Sequence, residues 1–411
     1  MSEHFAKLEL GPMFRALMRN KIGALLIALQ IALTLTIMVN AIFMMQERSA
    51  QMARASGLDE NNTFYLSNTI FAQNYNTKTA LQQDLQRIRQ IPGVVDVTQI
   101  NAIPLSGGGW SMSLQTKPGD DVEGTGSAVY MVDEHGIDAL GVELIAGENF
   151  HSADISWRET GSTKWPPKAI VSQALAAAMF DGDWNSALGK TIYIDNHQPV
   201  QITGIIKTLQ APWNGWNGVE RSMLVPQQLD GKGSRYFIRT EAGLRDELMP
   251  VIEKMLAESD RGRIIRNVTS MVQTRDKSYR EHQATNTILL TVIIVLTLIT
   301  GFGIVGLAMF SINRRTRQIG TRRALGASQW QVMRYFMLEN LLISGLGVLL
   351  GIGGAVGLNI WLVSTFAMKP LTPELLLVGC AALLAVGQLA VSYPALIAAR
   401  ISPATATRGR A

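Results

Sequence analysis

The sequence predicts an α-helical membrane protein with four transmembrane helices and a large α+β external domain, built from two βαβ units with an inserted α+β subdomain. Three observations predict this fold class. Four apolar runs each reach the roughly 20 residues that a membrane span requires. About 240 residues of more polar composition separate the first run from the second. Lys and Arg residues cluster beside the runs, in a chain that is 47% hydrophobic and 17% charged.

The apolar runs predict four spans and one orientation. The spans are residues 22–45, 287–310, 338–363 and 374–399. Basic residues beside a span mark the cytoplasmic side of a membrane. Four Lys and Arg residues precede the first span and three follow the last, whereas the hairpin 364–373 carries only Lys369. This bias predicts a multi-pass membrane protein with both termini cytoplasmic and with residues 46–286 and the hairpin on the external side.

The two terminal segments are predicted to be cytoplasmic. Residues 1–21 form an amphipathic pattern, in which Leu10, Phe14 and Leu17 share one helical face. Such a helix lies in the membrane interface; the alternative is a plain extension of the first span. That span is longer than the core of a signal peptide, and no clear cleavage site ends it, so we expect a retained anchor. Residues 400–411 form the cytoplasmic tail.

The external region 46–286 shows the same pattern of elements twice. β-branched and aromatic runs alternate with helical periodicity, which predicts a strand, a helix and a strand in each case. The first set is 63–70, 78–90 and 94–100, and the second is 235–239, 244–256 and 263–268. These two βαβ units occupy 58–104 and 226–270, with stalks at 46–57 and 271–286 that extend the neighbouring spans outward.

The turn-rich segment 105–225 lies between the two units and is predicted to form the inserted subdomain. Its best predicted helix covers 173–180. Its best predicted strands are 128–132, 168–172, 191–195 and 200–206.

Several kinds of site are excluded by composition. The single cysteine, Cys380, allows neither an intrachain disulfide nor a thiolate metal site, and the five histidines lack ligand spacing. The stretch from Gly182 to Thr191 resembles a phosphate-binding loop, but six residues separate its glycines where the motif has four. No catalytic arrangement stands out. The net charge of +5 comes largely from the cytoplasmic flanks and predicts no nucleic-acid partner.

The segment 311–337 is the most patterned part of the chain. It carries many arginines and no acidic residue, so it is predicted to be a cytoplasmic loop between two spans. A short helix is predicted over roughly 316–325, with Ile319 and Leu325 as apolar points. Such a helix can dock in a groove of a partner protein. The alternative is a purely topological anchor, since basic residues alone orient spans.

The third span contains two pairs of glycines at a spacing that lets helices approach closely. They are Gly347 and Gly351, followed by Gly353 and Gly357. The spacing is compatible both with packing against another helix of the same subunit and with packing between two subunits.

Four stretches together resemble MacB/FtsX-like permeases of type VII ABC transporters, which work by mechanotransmission. Arg314 to Ser328 is similar to the family pattern R-x-x-E-I-G-x-R-R-A-L-G-A-S, although Gln318 stands where many members carry Glu. Residues 141–150 resemble G-x-x-L-x-x-G-R-x-F, residues 169–192 resemble V-V-N-E-x-L-A … G-K-x-I, and 394–404 resemble P-A-x-x-A-A-R-x-x-P. The resemblance covers essentially the whole chain. It implies that the two βαβ units together form a porter-like subdomain.

The resemblance implies a permease subunit of the inner membrane whose external domain lies in the periplasm, and which is not itself an enzyme and binds no cofactor. ATP and magnesium would be held by a separate cytosolic ABC ATPase. Further implied partners are a second permease, identical or paralogous, the lipid membrane, a periplasmic adaptor and an outer-membrane channel. The residues expected to couple to the ATPase lie in the basic loop; they are Arg317, Ile319, Gly320, Arg322, Arg323, Ala324, Leu325, Gly326 and Ala327.

Three roles fit this architecture. The favoured one is efflux of a peptide, toxin or antibiotic, because the external region is larger than a small regulatory loop requires. The alternatives are an FtsX-like signalling or scaffold protein that regulates a cell-wall hydrolase, and a permease for lipoprotein extraction. The sequence names neither the substrate nor the second permease.

Overall fold

The structure, a computed structural model, describes residues 21–73, 75–366 and 369–402. It divides into two compact units, a membrane unit (up to Ala50 and from His282 onward) and an α/β unit (Gln51–Glu281). The predicted interfacial helix at the N-terminus, the end of the tail and the middle of the 364–373 hairpin lie outside the described residues.

The elements follow one another along the chain as eight α-helices and twelve strands within the described ranges. The helices are α1 Lys21–Met52, α2 Thr77–Arg89, α3 Gly136–Leu140, α4 Gln173–Met179, α5 Arg245–Ser259, α6 Met271–Ala324, α7 Gln329–Phe366 and α8 Pro373–Ala399. The strands are β1 Thr63–Ile70, β2 Val94–Ile100, β3 Trp110–Gln115, β4 Thr125–Val132, β5 Leu144–Gly147, β6 Ser156–Glu159, β7 Lys168–Ser172, β8 Thr191–Ile194, β9 Gln198–Ile206, β10 Ser222–Asp230, β11 Gly233–Thr240 and β12 Arg263–Ser270.

The two predicted βαβ units interleave in one four-stranded sheet. Its order is β12-β1-β11-β2, and each neighbouring pair is antiparallel. Each unit therefore has a strand of the other between its own two strands, which is the split βαβ arrangement. Helices α2 and α5 cover one face with apolar residues at helical spacing, such as Leu81 and Leu85 on α2 and Ile252 and Leu256 on α5. Neither unit could bury its own strands alone.

The inserted subdomain is a closed barrel of six strands. The pairings run β4-β3-β8-β9-β7-β10, and β10 then pairs in parallel with β4 and closes the ring. Strand β5 adds to β9, and β6 adds to the far end of β10. Helix α4, capped by the Ser172 side chain, contributes Leu175 and Ala176 to the barrel core. The predicted strands and helix of this region are present, and β3, β5, β6 and β10 were not predicted.

A second apolar core is shared by the barrel and the four-stranded sheet. It contains Tyr130 and Val132 of β4 together with Ile100 of β2 and Phe237 of β11. Strand β10 crosses the predicted boundary between residues 225 and 226 without interruption. The insertion is therefore joined to the sheet by a common core, and the α/β unit is a single compact body.

The membrane unit contains four helices that are long and apolar enough to cross a bilayer: α1, α6, α7 and α8. With the α/β unit, they confirm the predicted fold class. Helix α1 is the most enclosed of the four, with Ile31 and Leu35 fully buried. Polar contacts also join the helices. Thr34 of α1 hydrogen-bonds Thr300 of α6 at 2.9 Å, and Asn40 Nδ2 donates to the Ala355 carbonyl of α7 at 3.2 Å.

The prediction of a loop over residues 311–337 with a separate short helix near 316–325 is wrong, because no separate helix is present among these described residues. Helix α6 continues without a break to Ala324, and α7 already begins at Gln329. The reason is local. Residues 311–324 contain no proline and are rich in arginine, which favours helix. Gly320 alone is not enough to end the helix, so the turn is confined to residues 325–328.

Candidate functional site

The ends of α6 and α7 form a helical hairpin, which we call the basic hairpin (residues 311–337). Gly326 lies at φ +100°, a conformation that glycine adopts without strain. Its N–H donates to the Arg323 carbonyl at 3.1 Å, and the Ala327 N–H donates to the Arg322 carbonyl at 3.0 Å. These two bonds define the Schellman motif that ends a helix. Glycine at this position therefore fixes where α6 stops.

The second helix of the hairpin begins with a capping box. The Ser328 hydroxyl accepts from the N–H of Gln331 at 3.2 Å, and the Gln331 side chain accepts from the N–H of Ser328 at 2.8 Å. Each side chain satisfies a backbone donor that the helix leaves unpaired. The four-residue turn is thus defined on both sides by its own hydrogen bonds.

An ion pair joins the two helices at the membrane end of the hairpin. Arg315 Nη1 donates to both carboxylate oxygens of Glu339 at 3.0 Å. Glu339 is only 8% exposed. A buried carboxylate is strongly unfavourable without a partner, so this contact fixes which faces of α6 and α7 meet.

Apolar and cation–π contacts continue the same seam toward the turn. Ile319 lies in one buried cluster with Val332 and Phe336 of α7 and with the end of α8. The guanidinium of Arg322 lies 5.0 Å from the centroid of the Tyr335 ring. The seam borders a small open cleft of about 50 Å³. The hairpin is therefore held along its length and not only at its tip.

The tip of the hairpin carries exposed apolar side chains. Leu325 is 78% exposed and Trp330 is 62% exposed. Arg317 is exposed on α6, and Ala324 and Gly326 are exposed at the turn. An apolar tip surrounded by basic residues has the composition of a surface that binds an acidic partner with an apolar groove.

Two of the predicted coupling residues are not on that surface. Ile319 and Gly320 are buried within the membrane unit, so Ile319 anchors the hairpin and is not an apolar point for docking. Arg323 is half-buried, and its Nη1 donates to the Ala327 carbonyl at 3.0 Å across the turn. The prediction placed all of them on one short free helix, whereas the continuous α6 turns positions 319 and 320 inward.

Sequence reasoning missed Glu339 and Trp330. Glu339 is the second residue of the predicted third span, and an ionisable residue within an apolar run is itself a signal. Trp330 lies just after the resembling motif, and its exposure depends on the four-residue turn. Sequence alone could have flagged Glu339 but could not name Arg315 among many arginines as its partner.

The four glycines predicted to pack helices separate into two pairs. A Cβ at Gly347 would lie 2.8 Å from the Ala28 carbonyl oxygen, and one at Gly351 would lie 2.9 Å from Leu35 Cβ, both on α1. A Cβ at Gly353 or at Gly357 would meet no atom within 4 Å. The first pair thus packs inside the subunit, and packing of the second pair against another subunit stays a prediction.

A polar cluster in the α/β unit connects the four-stranded sheet to the barrel. His135 Nδ1 lies 2.8 Å from Asp96 Oδ2, and Arg89 donates to Asp96 at 3.0 Å and to Asp133 at 3.3 Å. The hydroxyl of Thr98 donates to Asp133 at 2.7 Å. Since Asp133 and His135 follow β4 whereas Asp96 and Thr98 lie on β2, the cluster bridges the two subdomains.

The cluster shifts three pKa values. The hydrogen bond between His135 and Asp96 raises the pKa of His135. Burial acts to raise the pKa of Asp96, but hydrogen bonds from His135 and the Val97 N–H, with the Arg89 charge, hold it below its usual value. Burial raises the pKa of Asp133. Among the described residues, no group of three His, Cys, Asp or Glu side chains is placed to hold a metal ion.

The C-terminal part of the chain matches a known family. Residues 290–403 match the family described as FtsX-like permease C-terminal. This range contains most of the membrane unit and the whole basic hairpin.

Curated relatives match a longer part of the chain. A macrolide export ATP-binding/permease protein MacB of Azoarcus sp. is 30% identical over 278 residues, which cover 64% of this chain and 40% of that protein. An uncharacterized ABC transporter permease YknZ of Bacillus subtilis is 26% identical over 58% of this chain and 61% of its own length. The chain thus spans about half the length of these relatives.

Two solved structures are similar to part of the chain. One is the extracellular domain of YknZ from Gram-positive bacteria, with 16% identity and a TM-score of 0.31, covering 49% of this chain and all of that one. The other is the periplasmic region of MacB from Actinobacillus actinomycetemcomitans, with 12% identity and a TM-score of 0.32, covering 53% of this chain and 94% of that one.

Proposed function

We propose that this chain is a permease subunit of an ATP-driven ABC transporter, because residues 290–403 match the FtsX-like permease C-terminal family. The observation that carries the proposal is the basic hairpin. Its tip exposes apolar side chains that a partner protein can bind, and its seam can transmit a movement of that partner to the membrane helices. ATP is bound and hydrolysed by a separate cytosolic ABC ATPase, and this chain contributes no catalytic residue and binds no cofactor.

Electrostatic and apolar contacts would hold the ATPase on the tip. Leu325 and Trp330 enter an apolar groove, and Arg317 and Arg322 face carboxylates at its rim. A guanidinium can bind a carboxylate through two hydrogen bonds, which fixes orientation as well as affinity. Because the seam joins α6 to α7 and α8, a displacement of the tip moves these helices together.

The outcome of this motion is proposed to be export. The relative from Azoarcus sp. is named for macrolide export, and the α/β unit, residues 51–281, is large enough to handle a substrate outside the membrane. We therefore favour efflux of a peptide, toxin or antibiotic by a dimer of permeases in the inner membrane. A periplasmic adaptor and an outer-membrane channel complete the route in this proposal.

The test of the ATPase contact uses the tip of the hairpin. A photo-crosslinking amino acid at position 325 of the full chain should capture a protein that contains a Walker A motif. The variant Arg322→Glu/Leu325→Glu should be inserted normally but lose the copurifying ATPase activity, because two carboxylates would face an acidic rim. Lys190→Glu, an exposed charge reversal in the α/β unit, is the control.

Two results would reject this function. One is full ATPase retention and full drug resistance in cells that carry the double variant. The other is steady ATP hydrolysis by the purified chain alone, which would require a nucleotide site within it.

A further inference from the structure

An open cleft of about 390 Å³ lies within the α/β unit. Three parts of the chain line it: Tyr65 of β1, the loops that follow β2 and β9, and the first turns of α6. The lining residues of the loops are Leu105, Ser106, Gly107, Pro212, Trp213 and Asn214. This volume is in the range that holds a ligand of drug-like size.

The cleft is preformed, because hydrogen bonds join its walls to one another. The N–H of Leu105 donates to the Ala211 carbonyl at 3.3 Å, and the N–H of Gly107 donates to the Pro212 carbonyl at 2.9 Å. Asn214 Nδ2 donates to the carbonyl and hydroxyl oxygens of Ser278 on α6, at 2.6 and 3.1 Å. Binding therefore needs little ordering of the walls.

One wall of the cleft is held in an unusual backbone conformation. Leu105 lies at φ +63° although it is not glycine, and its side chain is buried. Left-handed geometry at such a residue is unfavourable, and it persists where the surrounding structure imposes it, often at binding sites. Trp213 is fixed on the same side, since it packs edge-on against Trp216 with ring centroids 6.3 Å apart.

The opposite wall carries a single charge. Thr274, Lys277 and Ser278 share one face of α6. The Thr274 hydroxyl donates to the Ser270 carbonyl, and Ser278 receives the Asn214 amide. Lys277 is exposed, and no acidic residue is among those that line the cleft. An ammonium group beside an aromatic and proline wall, with no carboxylate, is complementary to an anion that has an apolar body.

We infer that this cleft binds a small organic acid with an aromatic or otherwise apolar body, whose carboxylate pairs with Lys277 and whose body lies against Trp213 and Tyr65. The site is separate from the basic hairpin and does not depend on an ATPase partner. Occupancy would link the start of α6 to the barrel and to β1. The cleft is thus a ligand site of the α/β unit in its own right.

Equilibrium dialysis of the full chain in lipid nanodiscs, with 2-naphthylacetate as the probe and empty nanodiscs as the blank, tests this inference. The uncharged 2-naphthylacetamide is the matched ligand. The acid should bind saturably and about tenfold more tightly than the amide, since a charge-assisted hydrogen bond contributes on the order of one power of ten in affinity. Lys277→Gln should remove this difference, and Trp213→Ala should weaken both ligands.

Arg280→Gln, three residues further along α6 and also exposed, is the control for a general loss of positive charge. It should leave the preference for the acid unchanged. Tryptophan fluorescence of each variant checks that the α/β unit, which holds six of the eight tryptophans, is folded. The inference is overturned by an absence of saturable binding, by equal affinity for acid and amide, or by equal effects of Lys277→Gln and Arg280→Gln.

Discussion

One buried charge in this protein, Asp84, has a partner that is distant in sequence. Asp84 of α2 lies on the inner face between Leu81 and Leu85, where it pairs with Arg263 and accepts from the Tyr236 hydroxyl. The helical periodicity of α2 predicted the apolar residues of that face. It could not predict Asp84, because Arg263 is 179 positions away and its proximity depends on the complete sheet. The Arg315–Glu339 pair was missed for a different reason, since many nearby arginines could have been the partner of Glu339.

Removing one member of the Arg315–Glu339 pair should destabilise the membrane unit. In Glu339→Ala the guanidinium keeps its charge in a largely enclosed place, and breaking a buried pair in this way is unfavourable by roughly 3 kcal/mol. The only cysteine, Cys380, is buried in the same unit. A thiol-reactive fluorescent dye therefore reports unfolding, and the variant should react at a lower temperature. Arg317→Ala, which changes an exposed arginine, should not; equal shifts in both variants would contradict this prediction.

The pH dependence of stability should reflect His135. Its pKa is raised in the folded state, so the folded protein binds the extra proton more tightly than the unfolded chain. This contribution is complete below the unfolded value of about 6.5 and is lost as pH rises through the folded value. The groups facing the ring are Asp96, Arg89 and Asp133, with Glu134 adjacent. Unfolding of the α/β unit, followed by tryptophan fluorescence, should occur at a lower temperature at pH 8 than at pH 6.

His135→Gln keeps a polar side chain beside Asp96 but removes the titrating group. The difference between pH 6 and pH 8 should shrink in this variant. His197→Gln, in the barrel and outside the cluster, serves as the comparison and should behave as the unmodified chain. A difference that is just as large in His135→Gln would assign the pH dependence to other groups.

At the level of elements, the sequence pattern within a segment predicted the helices and strands that are stabilised mainly by their own residues. The strands and helices of both βαβ units were predicted from periodicity of residues within each element, and the structure contains all of them. The short strands β3, β5 and β6 were missed because pairing with neighbouring strands, and not their own composition, stabilises them. The basic hairpin shows a related limit: positive charge predicted the membrane side of residues 311–337, yet helix propensity extended α6 through them.

The contact between α1 and α7 gives a matched pair of glycine substitutions. Gly351→Ala would place Cβ 2.9 Å from Leu35 Cβ and 3.1 Å from Ala32 Cα, so one helix must shift. Gly353→Ala meets no atom within 4 Å and gains about 1 kcal/mol of helix propensity. The Cys380 dye assay should therefore show lower stability for the first variant and equal or higher stability for the second. Equal losses in both would place an unseen neighbour at Gly353.

At the scale of the whole molecule, the distribution of Lys and Arg residues predicts the side of the membrane on which each unit lies. The α/β unit is expected outside and the basic hairpin inside. The proposed role of the basic hairpin depends on this arrangement, because the partner ATPase uses ATP from the cytoplasm.

Two single cysteines in a Cys380→Ala background test the arrangement. Thr163→Cys lies at an exposed turn of the α/β unit, and Gln329→Cys lies at the exposed start of α7, directly after the turn of the basic hairpin. An impermeant maleimide should label the first in intact spheroplasts and the second only after permeabilisation. Labelling in the opposite order would invert the topology and remove the basis for a cytosolic partner.

The interleaved sheet has a consequence for biogenesis. Phe64 of β1 pairs with Ser270 of β12, and the whole barrel is encoded between them. These partners are about 200 residues apart, so at about 5–20 residues per second β1 waits roughly 10–40 s for its partners to be synthesised. Throughout that interval Phe64 and Leu66, both fully buried in the finished sheet, remain available for wrong associations. The nascent chain should therefore depend on a holding chaperone on the side where this unit folds, and that dependence should end once β12 has emerged.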